Sequence, residues 1–281
     1  MANESSAPSV LIVTAHPDDE SVFAATTFAI TQQLKGRADL ALITNGEGGY
    51  KYSLLAERIY KKKLTQEEIG RKYLPQIRKK ELKAGGKYIG INNYYFFDQV
   101  DHQYTKELTF LDQGIWDKAE IKKRLSRIIV NNNYDYIFVL LPTKETHGHH
   151  KAASILALEV VKELEHKPIV LGASVLDQEK KANYSHLEDY EITKTVTKNS
   201  SFSFNRNQKF GYKNKLTYQI IVNWLIAEHK SQGTIQNYMN KGDIEHFWFF
   251  AINDLESFKE TEKLFKLLNS LGANLGETTR L

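Results

Sequence analysis

Two short β-branched apolar runs with a helical segment between them constrain this chain most. Val10-Leu11-Ile12-Val13-Thr14 and Leu40-Ala41-Leu42-Ile43-Thr44 show no polar alternation. Each therefore reads as a strand covered on both faces, as in a parallel sheet. The intervening Glu20 to Lys35 carries Val22, Phe23, Phe28, Ile30 and Leu34 and stops at Gly36, a helix C-terminal signal. Strand, helix and strand within about 35 residues form a βαβ unit, which implies an α/β fold with a mostly parallel sheet flanked by helices.

The pattern continues down the chain. Asn45-Gly46-Glu47-Gly48-Gly49-Tyr50 is a glycine-rich loop, and residues 54–90 are lysine-rich and mostly helical, with Pro75 marking a break. Tyr94 to Asp98 reads as a third strand, 99–115 as a loop and 117–130 as an amphipathic helix. Tyr136 to Leu141 is a fourth strand, stopped by Pro142, followed by a histidine-bearing loop at 143–150, a helix at 151–165 and a fifth strand from Ile169 to Val175. Beyond about residue 176 the pattern changes. Residues 192–204 suggest short antiparallel strands, while 215–239 and 254–271 read as helices, the last with Leu255, Phe258, Leu264, Leu267, Leu268 and Leu271 on one face. The organisation predicted is one domain over 1–281, with a core at about 9–176 and a C-terminal α+β elaboration at about 177–281.

Composition removes several classes. The chain has 281 residues and ordinary globular proportions, with 41% hydrophobic and 26% charged residues, so extended disorder is excluded. A net charge of +4, spread over this length, is too weak to imply nucleic acid or an anionic membrane as partner. Cysteine is absent, so a disulfide framework, a thiolate nucleophile and a cysteine zinc site are all excluded. The N-terminus lacks a basic region followed by an apolar stretch, and no apolar run reaches the ~18 residues of a membrane span. The expectation is a soluble, cytoplasmic chain.

Two polar clusters follow strand ends, where ligands bind in open parallel sheets. Ala15-His16-Pro17-Asp18-Asp19-Glu20 follows the first strand, and His147-Gly148-His149-His150 follows the fourth. A histidine and an aspartate three apart at a strand-to-helix turn can reach one cation, and a distant histidine can complete three protein ligands with a position left for water. Such an ion lowers the pKa of its water to about 7 and makes it a nucleophile. One carboxylate of the Asp18-Asp19 pair is then free as general base. Acidic residues here could equally cap a helix start, and the histidine loop could simply be solvated. Both clusters falling at strand ends of one sheet favours the metal.

AHPDDE after an apolar strand resembles the signature of the LmbE-like/PIG-L family of zinc-dependent N-acetylglucosamine deacetylases. Further features follow in order: Thr44-Asn45-Gly46-Glu47, then Arg78 to Leu82 with Gly90-Ile91, then His147 and His150 of the second cluster, then His229-Lys230-Ser231-Gln232. The resemblance spans residues 9–235 and implies a Rossmann-like fold. By position it makes His16, Asp19 and His150 ligands of Zn2+, with Fe2+ compatible with the same set. It makes Asp18 the general base, and His147 a catalytic histidine donating to the tetrahedral intermediate or leaving amine. It assigns Arg78 to the sugar; Glu47, on the glycine-rich loop, reads separately as lining the pocket and binding substrate. The expected partner is a small amino-sugar substrate, with no nucleic acid and no membrane span.

Two departures stand out. The family's HPDH is HGHH here, so His149 replaces an aspartate thought to orient His147. A family tyrosine before that motif is also missing; Lys144, Glu145 and Thr146 stand there. The first feature keeps open a non-catalytic sugar-binding protein, and the metal set alone would also serve hydrolysis of another bond, such as a phosphoester. Among the remaining residues, Tyr94 to Phe97 read as core, Tyr50 and Tyr52 could stack on a sugar face, His229 could support the site, and His102, His166, His186 and His246 show no partner signal.

Overall fold

Ile12 pairs in register with Leu40 on one side and with Phe138 on the other, so the first buried run sits in the middle of a parallel sheet. The computed structural model describes residues 7–274. The ends of the expected 1–281 domain, residues 1–6 and 275–281, lie outside them. In chain order, β1 (Ser9–Thr14) leads through a 3-10 turn (Asp19–Phe23), α1 (Ala24–Phe28) and a π turn (Ala29–Gln33) to β2 (Arg37–Thr44). Then follow α2 (Glu57–Tyr60), α3 (Glu67–Tyr88), β3 (Ile91–Gln99), α4 (Thr109–Asp112), α5 (Lys118–Asn132), β4 (Tyr136–Leu140), α6 (Gly148–Glu163) and β5 (Ile169–Leu176). The last third supplies β6 (Phe202–Asn205), β7 (Lys209–Phe210), β8 (Leu216–Thr217), α7 (Tyr218–Glu228), β9 (Ile244–Phe249) and α8 (Ser257–Asn274).

The main sheet has seven strands in the order β3-β2-β1-β4-β5-β9-β6. The five strands from β3 to β5 are parallel, and β9 and β6 add on antiparallel. Alternate residues of β1 enter two cores. Ile12 joins Leu40, Phe138, Leu171 and Phe247 beneath α7 and α8, and Leu11 and Val13 join Ile137, Val139, Trp116 and Trp248 beneath α5 and α6. Helices thus cover both faces, as the unbroken apolar runs require.

Three expectations are corrected. Pro75 does not break the helix: α3 runs through it. Proline removes one backbone bond, at a cost of about 3 kcal/mol. Leu74, Ile77, Arg78, Glu81 and Leu82 bury the face around it, and that packing offsets the loss. Second, the C-terminal third adds strands to the central sheet itself. Ile244–Phe249, passed over between two expected helices, is a strand that pairs Leu171 with Phe249 and extends the central sheet. Its fully buried Glu245 accepts the amides of Ala25 and Thr26, each at 2.9 Å, and Arg206 Nε at 3.0 Å, tying β9 to the helix after the first polar cluster. Third, Leu255 precedes α8, and Leu255 and Leu267 are exposed; Leu268 is buried as expected, Phe258, Leu264 and Leu271 pack partly against the core, and Phe265 joins them.

Candidate metal centre and active site

The strand order reverses between β1 and β4: β2 and β3 lie to one side of β1, and β4 and β5 to the other. The loops leaving the carboxyl ends of β1 and β4 diverge there and open a crevice, the usual ligand position in such sheets. Both polar clusters line the resulting cavity of about 650 Å³.

The first cluster is a strained turn held from several sides. Asp18 has φ 110°, outside the regions ordinary residues occupy. Its amide donates to Glu20 Oε2 at 2.8 Å, and its carboxylate accepts from Arg78 Nη2 at 3.2 Å. Glu20 Oε1 in turn lies 2.5 Å from His229 Nε2, and neither side chain has any exposure. Asp19 spends Oδ2 on the amides of Ala15 and His16, at 3.1 and 2.8 Å, which aims Oδ1 at the second cluster.

There His150 Nε2 lies 3.0 Å from Asp19 Oδ1 and 3.0 Å from His16 Nδ1, while His16 Nδ1 is 3.7 Å from Asp19 Oδ2. Two imidazoles and a carboxylate thus converge. Donors sharing a four-coordinate zinc with bonds of about 2.1 Å stand roughly 3.4 Å apart, so this set fits such an ion. His16, His147 and His149 also gather their nitrogens within 4.8 Å. Those donors are already committed: His147 Nδ1 accepts the His149 amide at 3.0 Å, and both ring nitrogens of His149 have protein neighbours.

The helix expected from residue 151 starts at Gly148, with His147 capping it through Nδ1. The glycine has a reason. Its amide donates to the Thr105 carbonyl at 2.6 Å, and a Cβ at this position would stand 2.3 Å from the Glu107 carbonyl. Proline, with a Cβ and no N–H, satisfies neither demand.

The loop that requires this glycine supplies the residue that sequence reasoning missed. Asp101 is 5% exposed, accepts the Gly48 amide at 2.9 Å, and places Oδ1 3.3 Å from His149 Nδ1 and 3.7 Å from His16 Nε2. His149 Nε2 lies 2.9 Å from His102 Nδ1, so His102 does have a partner. His149 is fully buried against Phe110 and Trp116 and links His16 to this loop. The available signal was an Asp-His pair just past a strand's carboxyl end, hidden within a long loop.

The charges follow from these contacts. Burial pushes the Asp18 pKa up, against the opposing pull of Arg78, to about 6. Burial acts upward on Asp19 as well, but His150 and His16 outweigh it and hold that carboxyl well below its usual range. Asp101 is likewise held low, by His16 and His149 against burial. Burial lowers His147 to about 3, helped by the neighbouring imidazoles, and lowers His149 to about 4 despite Asp101.

Arg78 is buried; it donates to the carbonyls of Gly46 and Pro17 as well as to Asp18, and its buried Nε has no partner among the described residues. Gly46 (φ 72°) must be glycine, since a Cβ would run into the Arg78 guanidinium. Glu47 does not line the cavity: its Oε1 accepts the Asp101 amide at 3.0 Å behind the wall. Tyr52 lines the cavity, whereas Tyr50 turns its hydroxyl to Glu67. Among Tyr94 to Phe97, only Phe97 is fully buried.

A family model described as "PIG-L: GlcNAc-PI de-N-acetylase" matches residues 11–161, more than half of the chain. The chain belongs to the PIG-L family. No curated protein sequence matches it. Solved structures do, at low identity. A 4-carboxy-2-hydroxymuconate hydratase from Pseudomonas putida shares 13% identity over 88% of this chain and 98% of its own, with TM-score 0.56. A deacetylase of the teicoplanin biosynthesis pathway, in complex with bog, shares 15% over 88% and 100%, with TM-score 0.56. A conserved protein from Thermus thermophilus shares 17% over 85% and 93%, with TM-score 0.51. These likenesses show the fold. PIG-L membership rests on the segment that contains both polar clusters.

Proposed function

We propose that this chain is a metal-dependent hydrolase that removes the N-acetyl group from an N-acetylglucosamine-type amino sugar or its conjugate. The observation that carries this reading is the convergence of His16, Asp19 and His150 at the cavity wall, with Asp18 beside them and outside the donor set. Zn2+ is the ion of choice for two imidazoles and a carboxylate, and Fe2+ suits the same donors. When bound, it polarises the acyl carbonyl and acidifies water.

The protein's own residues do the rest. Asp18 takes the proton of the attacking water, and Arg78 and Glu20 hold its carboxylate and its amide for the task. With Nδ1 accepting an amide, a neutral His147 carries its proton on Nε2 and donates a hydrogen bond to the developing oxyanion. Its low pKa makes it a poor proton source, so the proton for the leaving amine returns from Asp18. Arg78 lines the cavity and is the residue we assign to the sugar, and Tyr52 offers an aromatic face at the cavity wall. The cavity volume lies within the common range for small-molecule sites, about 300–1,000 Å³.

The test is a screen of N-acetylated glycosides with zinc-loaded and iron-loaded protein, scoring free amine and acetate together. Matched release of both supports the reading. Metal-loaded protein that releases neither from any amino sugar, or releases phosphate from phosphoesters instead, sinks it.

A further inference from the structure

The segment between the glycine-rich loop and α3 leaves apolar side chains in water next to the cavity mouth. Its Ala56 and Leu64 point inward and anchor on Leu74 and Ile77 of α3. Ser53 Oγ donates to the Ser231 carbonyl at 2.8 Å, and the Gly233 amide donates to the Tyr52 carbonyl at 3.1 Å, fixing the segment beside the cavity wall. Held this way, it turns Leu54, Leu55 and Ile59 outward, 64%, 73% and 56% exposed. Tyr52, also exposed, continues the ridge into the cavity lining. Single exposed leucines are ordinary, but three large aliphatics within six residues, contiguous with a cavity mouth, mark a contact surface.

Charge identifies the partner. Residues 51–63 hold five cations, Lys51, Arg58, Lys61, Lys62 and Lys63, against one carboxylate, Glu57. That is +4, equal to the net charge of the whole chain, so the other residues balance to zero. Glu57 accepts from the Thr65 amide and hydroxyl at 2.9 and 2.6 Å and lies 3.9 Å from Lys63 Nζ, while Lys51, Arg58, Lys61 and Lys63 stand exposed. The ridge is therefore locally cationic, although the charge of the whole chain is small. Aliphatic side chains bordered by cations suit an anionic bilayer: the former enter the headgroup boundary, the latter lie among phosphates, and tyrosine stands between. A second copy suits the ridge poorly, since a two-fold contact would set these cations against themselves.

We propose that the 51–63 ridge docks the chain on an anionic lipid bilayer, with the cavity mouth facing the headgroups. The attachment is peripheral, because no helix among the described residues is long and apolar enough to cross a membrane. It stands or falls separately from the hydrolase reading.

Co-sedimentation of the full chain with vesicles tests it, using phosphatidylcholine alone and phosphatidylcholine with phosphatidylserine at two to one. Binding is expected to the anionic vesicles only, and to weaken as salt rises from about 0.1 M to about 0.5 M. Lys61→Glu with Lys63→Glu should lower partitioning by about 25-fold or more, from about fivefold per cation. Leu54→Glu with Leu55→Glu should abolish binding while leaving the melting curve unchanged, since both side chains are exposed. Failure to bind anionic vesicles, equal binding to neutral ones, or full binding by the leucine variant overturns the proposal. So does a dimer in light scattering that the leucine variant dissolves, because the ridge then belongs to a second copy.

Discussion

Asp101→Asn should weaken metal binding without removing any proposed ligand. Asparagine keeps the shape and one carbonyl acceptor, so the bond from the Gly48 amide survives. What is lost is the negative charge facing His149 Nδ1 at 3.3 Å and His16 Nε2 at 3.7 Å. His16 Nδ1 points to Asp19 and His150, so Asp101 and His149 flank its other nitrogen and fix the ring. Hydrogen bonds to charged groups contribute about 1.5–3 kcal/mol against about 1 for neutral ones, so the substitution removes about 1–2 kcal/mol of orientation. Replacing a partner of a metal-bound histidine typically costs 10–100-fold in affinity, about 1.4–2.7 kcal/mol, which overlaps that figure. Competition against a chromophoric chelator measures the Kd, and thermal melting of the metal-free chain measures any separate loss of fold. A Kd within about threefold of wild type would refute the reasoning, as would a loss wholly explained by unfolding of the metal-free variant.

Four further outcomes are expected. Asp18→Asn should keep bound metal yet lower kcat by about 10²–10⁴-fold, whereas His16→Ala should lose the metal itself, read by elemental analysis beside turnover. His229→Gln should flatten the pH dependence of stability: Glu20 outweighs burial and raises the His229 pKa, so the pair stabilises below about 6.5 and its contribution fades as pH rises through the folded-state value, and denaturant unfolding between pH 6 and 9 should show a larger loss at the acid end than at the alkaline end. Gly148→Pro, although at a helix start where proline is normally accepted, should destabilise the chain by more than about 2 kcal/mol and weaken metal binding, because it displaces the 105–107 backbone that carries Asp101 in the same loop. His149→Asp, which restores the family's HPDH carboxylate, should lower the melting temperature, since it sets a second buried carboxylate against Asp101 and breaks the contact with His102; an unchanged melting curve would contradict this.

The sheet centre and the meeting of the two polar clusters were legible in the one-dimensional pattern. Val10 to Thr14 and Leu40 to Thr44 can be unbroken apolar runs only if both faces are covered, and that condition calls for a parallel sheet. Residues 15–20 and 147–150 follow the ends of two strands of one sheet, so sheet geometry already brings the two clusters near one another, whereas the choice of His16, Asp19 and His150 within them came from the family resemblance. The rest depended on contacts between distant segments. β9 joins the sheet beside β5, 68 residues earlier at the Leu176–Ile244 pairing, and its role rests on Glu245 meeting α1, which local periodicity does not encode. Asp101 is an ordinary loop residue until the chain brings it against His149, and His149 is an odd substitution until His102 and Asp101 surround it. The charge of the 51–63 segment was countable from the start. Its concentration beside the cavity became meaningful only when Ala56 and Leu64 were seen to take the inward positions, because a side chain's exposure is decided by which neighbours claim the core.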